Sequence, residues 1–223
     1  MAIKNEELFE LPYFKNLKTK HIFDSLTGAV SREYALGYIK SLTKTKTPYL
    51  LHLVDIDNFK LVNDELGHKT GDLILKKVVE TILEITKNTS VVGRYGGDEF
   101  LIITPNISEY NDVWKYTKTV FEYVRNKNIP SALGSTITLT AGAACYPKDF
   151  LEFDQLFSKI DKALYRGKQK GRNCFIIYDE EKHKNIDVNN TNEQLTDIFD
   201  HVYSLLMNGT DLNNRIYMIK YIC

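Results

Sequence analysis

The chain has 223 residues, with Lys plus Arg and Asp plus Glu balanced at 29 each. That length holds one domain of ordinary size with its own core and a smaller appendage. The neutral balance excludes the basic footprint of bulk nucleic-acid or anionic-membrane binding, so a phosphate-bearing ligand has to be held by a local site. Cys145, Cys174 and Cys223 are scattered with no pairing or CxxC spacing, the first residues are charged throughout, and no run reaches membrane length. The expectation is a soluble cytoplasmic protein with no membrane partner.

Residues 1–21 read as a leader, expected to be helical. A helix is expected from Ser31 as N-cap, carrying Tyr34, Leu36, Tyr38, Ile39 and Leu42 up to the polar "TKTKTP". "YLLHLVDI" (49–56) is a near-continuous apolar run of strand length, which predicts a strand buried on both faces. A short helix over 58–66 and a long one over 71–87 follow, the second with Leu75, Val78, Val79, Ile82 and Leu83 at helical spacing. Strands are predicted at 90–94 and 99–104, joined by a turn at Gly96-Gly97. A helix over 109–127, a strand over 135–145, a helix over 153–170 and a last strand at 174–178 complete the pattern. The order β-α-α-β-β-α-β, with a further helix and strand, predicts an α+β fold: a ferredoxin-like or palm split βαβ sheet with helices packed around it. Residues 181–190 turn polar and read as a linker. Residues 191–223 hold one amphipathic stretch and end in the apolar "IYMIKYIC", which predicts a helical extension, the start of a further domain or a face for a partner.

Asp55 is the first acid after the buried strand, so it is expected at the strand's carboxyl edge, where open sheets place ligands. If the hairpin 90–104 pairs beside that strand, Asp98 and Glu99 at its tip come near Asp55. Carboxylates converging without matching bases suit magnesium, a hard cation that takes few protein oxygens and leaves the rest to water and phosphate. Gly96 and Gly97 allow a ligand close to the backbone. Lys60, Lys168, Lys170 and Arg172 are cations of the kind a polyphosphate recruits. Asn63 and Asp72 carry the amide and carboxylate that a guanine edge asks for. Each has a plainer alternative: Asp55 and Asp57 as strand-end and turn residues, Asp72 as a helix N-terminal charge, the 168–172 cations as a solvated helix end, His68 as a loop residue and His52 as a core or sheet-edge residue.

Four blocks in order, "DSLTGAVSR" (24–32), "DIDNFKLVNDELGHKTGD" (55–72), "RYGGDEF" (94–100) and "ALYRGKQKGRN" (163–173), resemble the GGDEF-domain diguanylate cyclase family over about residues 22–180. The resemblance implies condensation of two GTP into cyclic di-GMP and pyrophosphate by a homodimer. By position, Asp55, the Ile56 carbonyl and Asp98 match magnesium ligands, with Glu99 beside them and manganese able to substitute. Asp98 also matches the acid that deprotonates the attacking hydroxyl, and Glu99 belongs with it in the catalytic set. Lys60 matches a transition-state stabiliser, and Lys168 and Arg172 match phosphate contacts. Asn63 and Asp72 match the guanine readers, and Phe59, His68, Gly96 and Gly97 complete the substrate contacts. The family's Arg-x-x-Asp product-inhibition motif falls on Lys87-Asn88-Thr89-Ser90, so both charged anchors are absent. A catalytically degenerate GTP- or cyclic di-GMP-binding module is the alternative. A polymerase palm shares the acids and the split βαβ core but needs a basic track for nucleic acid, which the neutral charge of this chain speaks against.

Overall fold

The computed structural model describes residues 8, 11–15, 17, 21–87, 89–131 and 134–188. The chain divides into two units, Met1–Ile186 and Asp187–Cys223. The first is described below; the helix expected within 191–223 lies outside the described residues, as does most of the leader.

The elements run α1 (Arg32–Lys44), β1 (Tyr49–Ile56), α2 (Phe59–Leu66), α3 (His68–Thr86), β2 (Val91–Gly96), β3 (Glu99–Pro105), α4 (Tyr110–Asn126), β4 (Leu139–Tyr146), α5 (Phe153–Gln169), β5 (Phe175–Ile177) and the short α6 (Glu180–His183). One sheet takes all the strands in the order β2-β3-β1-β4-β5. β1 lies antiparallel to both β3 and β4, and β5 adds parallel to β4. This is the expected split βαβ arrangement, an α+β fold.

The apolar run of β1 is buried on both faces because helices cover both. Tyr49, Leu51 and Leu53 face one layer with Ala35, Tyr38, Ile39 and Leu42 of α1 and Leu156, Ile160 and Leu164 of α5. Val54 and Ile56 face the other, with Phe59 and Val62 of α2, Leu75, Val78 and Ile82 of α3, and Val120, Phe121 and Val124 of α4. Strand alternation assigns the faces. Asp55 therefore points to the α1/α5 side, in phase with Leu53. Phe14 and Ile22, from the stretch before α1, are fully buried in that same layer.

Several boundaries differ from the sequence pattern for local reasons. α3 begins at His68, ahead of the predicted start, because Gly67 (φ 79°) turns the chain directly from α2 into it. The alternation of 135–138 is not strand: Thr136 bridges to Pro130 and Ser131 to Ser135 in a small loop, and β4 runs on to Tyr146. The polar segment after Tyr178 starts with a helical turn capped by Asp179, whose carboxylate accepts the Lys182 amide at 3.2 Å, and His183 is buried there. His52 is a core residue. It is fully buried, its Nε2 lies 2.9 Å from the Thr117 hydroxyl, and burial pulls its pKa down to about 4.

α5 presses unusually close to β4. A Cβ on Gly142 would collide with the Ile160 carbonyl and the Leu164 amide, so only glycine lets the helix backbone rest on the strand. That contact sets the height of α5 above the sheet and with it the position of its last turn, Arg166 to Gln169. Gly142→Ala is expected to destabilise the protein by about 1–3 kcal/mol, the usual cost of overpacking, read from the urea midpoint; an unchanged midpoint would show slack between α5 and β4.

Candidate active site

In the β1–β3 ladder Asp55 stands directly opposite Glu99. Like charges placed this way repel, and burial makes the repulsion worse. Lys168, from the last turn of α5, meets the pair: its Nζ lies 3.2 Å from Asp55 Oδ2. Burial nevertheless dominates and, helped by Asp98 and Asp57, pushes the Asp55 carboxyl up to about 6 against the pull of Lys168. Asp98 and Glu99 are also raised, chiefly by burial. Asp161, on the same face of α5 as Lys168, is a further half-buried acid, raised by burial and opposed by Lys168. A desolvated surplus of carboxylates on one edge is what a divalent cation relieves. Among the described residues no three Asp, Glu, His or Cys side chains converge tightly enough to hold a metal alone. The donor set fits magnesium all the same, because that ion commonly takes one or two carboxylates and completes its shell with water and phosphate.

The signature turn is shifted from its expected place. Gly96 ends β2 and pairs with Glu99, so the two turn residues are Gly97 and Asp98. Asp98 sits in the turn instead of following it, and the register slips between Arg94 and Gly96. Gly97 adopts φ 49°, and added side-chain carbon at Gly96 or Gly97 would meet nothing within 4 Å, which leaves the tip open to a ligand.

Arg94 holds that tip. Its Nε and Nη2 donate to the Gly97 carbonyl at 3.1 and 2.8 Å, and its Nη1 donates to Asp24 Oδ1 at 3.1 Å. Asp24 also accepts the Thr27 amide and hydroxyl at 2.9 and 2.7 Å. Burial alone would raise the Asp24 carboxyl, but these bonds and the Arg94 charge outweigh it and hold it below its usual value. Val30 pairs alongside β2 at the same time, donating to the Val92 carbonyl and accepting from the Arg94 amide. The block "DSLTGAVSR" is thus a brace for "RYGGDEF", a role the sequence reading did not assign.

Phe59, Lys60, Asn63, His68 and Asp72 form a second group on the α2–α3 pair, while Ile56 ends β1 and Arg172 lies in the turn after α5. Asn63 lies over Gly71, where a Cβ would strike its Oδ1, so the amide rests on the first turn of α3 beside Asp72. Phe59 is buried beneath. Lys60, His68 and Asp72 are exposed around this group. Asp57 plays no part in the cleft: it is 4% exposed and accepts the hydroxyls of Thr138 and Thr140 at 2.7 and 2.6 Å and the Asn173 amide at 3.0 Å. The plainer reading of a strand-end acid holds for Asp57, whereas Asp55 stands at the acidic edge opposite Glu99 and against Lys168. Asp161 was legible as the residue two helical turns before Lys168; Arg94 and Gly71 needed the fold.

If Arg94 and Asp24 brace the turn as a pair, a double-mutant cycle with Asp24→Ala and Arg94→Ala should give a coupling of about 1 kcal/mol in unfolding free energy. Additive losses would mean that each acts through separate contacts.

Comparison with known proteins agrees with this geometry. The family model described as "Diguanylate cyclase, GGDEF domain" matches residues 21–174. Diguanylate cyclase A of Treponema denticola is 32% identical over 177 residues, covering 78% of this chain and 46% of that protein. Diguanylate cyclase DgcZ of Escherichia coli is 34% identical over 162 residues, covering 71% of this chain and 54% of its own. The chain thus spans about half the length of these relatives. Among solved structures, the GGDEF domain of PA1120 (TpbB or YfiN) from Pseudomonas aeruginosa superposes with TM-score 0.62 at 26% identity, covering 70% of this chain and 94% of that one. Diguanylate cyclase SiaD from the same organism, solved with its activator SiaC, gives TM-score 0.64 at 26% identity, covering 78% and 68%. With the motif blocks gathered on one edge of a split βαβ sheet, and sequence and fold relatives pointing the same way, the chain belongs to the GGDEF-domain diguanylate cyclase family.

Proposed function

We propose that this chain is a diguanylate cyclase, which joins two GTP molecules into cyclic di-GMP and releases two pyrophosphates. The observation that carries the reading is the opposed Asp55 and Glu99 beside Asp98, with Lys168 Nζ 3.2 Å from Asp55. Such an arrangement costs stability in the free protein and acquires a purpose when metal and triphosphate arrive.

In this reading the guanine lies against Asn63 and Asp72, with Phe59 and His68 around it. The amide meets the N7/O6 edge and the carboxylate takes the N1–H and N2–H donors. The phosphates run to the acidic edge, where Lys168 and Arg172 contact them, and the open backbone at Gly96 and Gly97 lets them approach closely. Asp55, the Ile56 carbonyl and Asp98 would hold magnesium, or manganese in its place, with Glu99 alongside. When bound, the metal acidifies the attacking 3′-hydroxyl and takes up charge on the α-phosphate. Asp98 accepts the hydroxyl proton, the 3′ oxygen forms its bond to the α-phosphorus, and the bond to the pyrophosphate breaks with Lys60 stabilising the departing charge. A second, equivalent transfer closes the ring. One site presents one nucleotide, so two copies of the domain must meet face to face, as a homodimer, and turnover per chain should rise with protein concentration.

Asp72 favours guanine: a carboxylate there accepts from N1–H and N2–H, whereas adenine has an acceptor at N1 and no 2-amino group. At the product-inhibition position, Ser90 is bound up with neighbours: its hydroxyl meets the Thr104 hydroxyl at 2.7 Å and the Tyr116 hydroxyl, and Thr89 reaches Tyr116 at 3.3 Å. A small hydroxyl cluster offers a guanine no carboxylate, and Lys87 lacks the planar fork of an arginine.

The decisive assay incubates the chain with GTP and magnesium across protein concentration and measures cyclic di-GMP and pyrophosphate. Asp98→Ala should lower the rate by about 10²- to 10⁴-fold, the range for loss of a general base, with its thermal midpoint unchanged or raised. A folded wild type that makes no product even when dimerisation is enforced would sink the proposal and leave a nucleotide-binding module. Added cyclic di-GMP should slow the reaction only as far as it competes with GTP; non-competitive inhibition would show that 87–90 still works as a brake.

A further inference from the structure

We propose that Asp57 and Arg125 are positioning residues for the phosphate end of this site: together they clamp the turn Gly171–Asn173 and so set Arg172 and the last turn of α5 against the Asp55 edge. This rests on the reading of Lys168 and Arg172 as phosphate contacts.

The turn calls for an explanation. Gly171 (φ 93°) ends α5 in the usual way: its amide donates to the Lys168 carbonyl at 3.1 Å and the Arg172 amide donates to the Gly167 carbonyl at 3.2 Å, a Schellman closure that needs one left-handed residue. The backbone stays left-handed beyond it, at Arg172 (φ 62°) and Asn173 (φ 50°). Residues other than glycine rarely adopt such angles, and they persist where surrounding groups over-determine them. Helix capping accounts for Gly171 and for neither of its successors.

The surrounding groups converge on Asn173. Its amide donates to Asp57 Oδ2 at 3.0 Å. Its side-chain oxygen accepts from Arg125 Nε at 3.2 Å, and its carbonyl accepts from Arg125 Nη2 at 2.9 Å. Asp57 is fixed in turn by Thr138, by Thr140 and by its own amide, which donates to the Thr138 carbonyl at 3.0 Å. Downstream, the Cys174 carbonyl accepts the Ala141 amide at 3.0 Å, leading the chain into β5. Arg172 thus stands between the closed end of α5 and a residue gripped at amide, carbonyl and side chain. Asp57 also lies two residues beyond Asp55 on the same chain segment. The acid edge and the turn that carries the phosphate contact are therefore tied through one buried carboxylate, with α4 bracing from outside through Arg125.

The test separates positioning from simple stability by comparing how tightly the full chain binds a non-hydrolysable GTP analogue and GMP in magnesium, by titration calorimetry. Arg125→Ala should lower the triphosphate-to-monophosphate affinity ratio by about tenfold, the equivalent of one lost charge-assisted contact. Arg125→Lys, which keeps the charge but replaces the two donor nitrogens with one, should recover part of it. Asp57→Asn should shift the ratio in the same direction. A purely structural role would lower the thermal midpoint and leave the ratio alone; an unchanged ratio in folded Arg125→Ala overturns the proposal even if Asp57→Asn does not fold. If the wild type binds the triphosphate no more tightly than GMP, the phosphate-contact reading fails and the clamp falls with it. If the wild type binds and cyclises GTP while the variants keep its ratio, the clamp alone is wrong.

Discussion

Two carboxylates face each other across the β1–β3 ladder at Asp55 and Glu99, and much of the domain is arranged around that unfavourable meeting. Pairing β1 on both edges buries the ladder and removes the water that would screen the acids. The resulting field explains why Lys168 is held over the edge, why α5 must come close enough to deliver it, and why Gly142 is bare. A surface pair of acids would need none of this support. The arrangement makes sense as a cation and phosphate site in which part of the favourable electrostatics arrives with the ligand.

The "DID" segment divides its labour by strand geometry. Asp55 lies within β1 and follows the odd-numbered face toward α5. Asp57 falls just past the strand, where the chain turns under β4, and it collects hydroxyls and an amide from Thr138, Thr140 and Asn173. One acid is left with a surplus of negative charge around it, and the other is neutralised by donors in a buried pocket. The brace at the opposite side works similarly: Arg94 spends its guanidinium on Asp24 and the Gly97 carbonyl, which fixes the hairpin tip without entering the cleft. Rigid neighbours of this kind let the tip itself stay open, as Gly96 and Gly97 are.

Much of the fold could be read from the chain. The run 49–56 predicted a strand covered on both faces because an uninterrupted apolar strand has no polar side to show water, and helix layers cover both. The helical stripes and the helix-helix and hairpin spacings followed from side-chain period alone. The errors came where local geometry overrode period: Gly67 let α3 start early, the alternating Thr residues of 135–138 were a loop, and the signature turn moved by one residue because the ladder slips at Arg94/Gly96. The candidate acids and the Asn63–Asp72 pair were legible by residue type and order. Arg94, Gly71 and Arg125 were less so, since each acts through a partner distant in sequence or on another element.

Element order, the buried central strand and the set of groups that metal, phosphate and guanine chemistry would need are written in the chain itself, because hydrophobic period and functional-group identity are local properties. Which of those groups share an edge depends on folding. Cross-strand register put Asp55 opposite Glu99, backbone contact at Gly142 brought Lys168 to them, and a buried carboxylate joined the 171–173 turn to β1. Register, close approach and buried hydrogen bonding are relations between segments far apart in the chain, and no single segment encodes them alone.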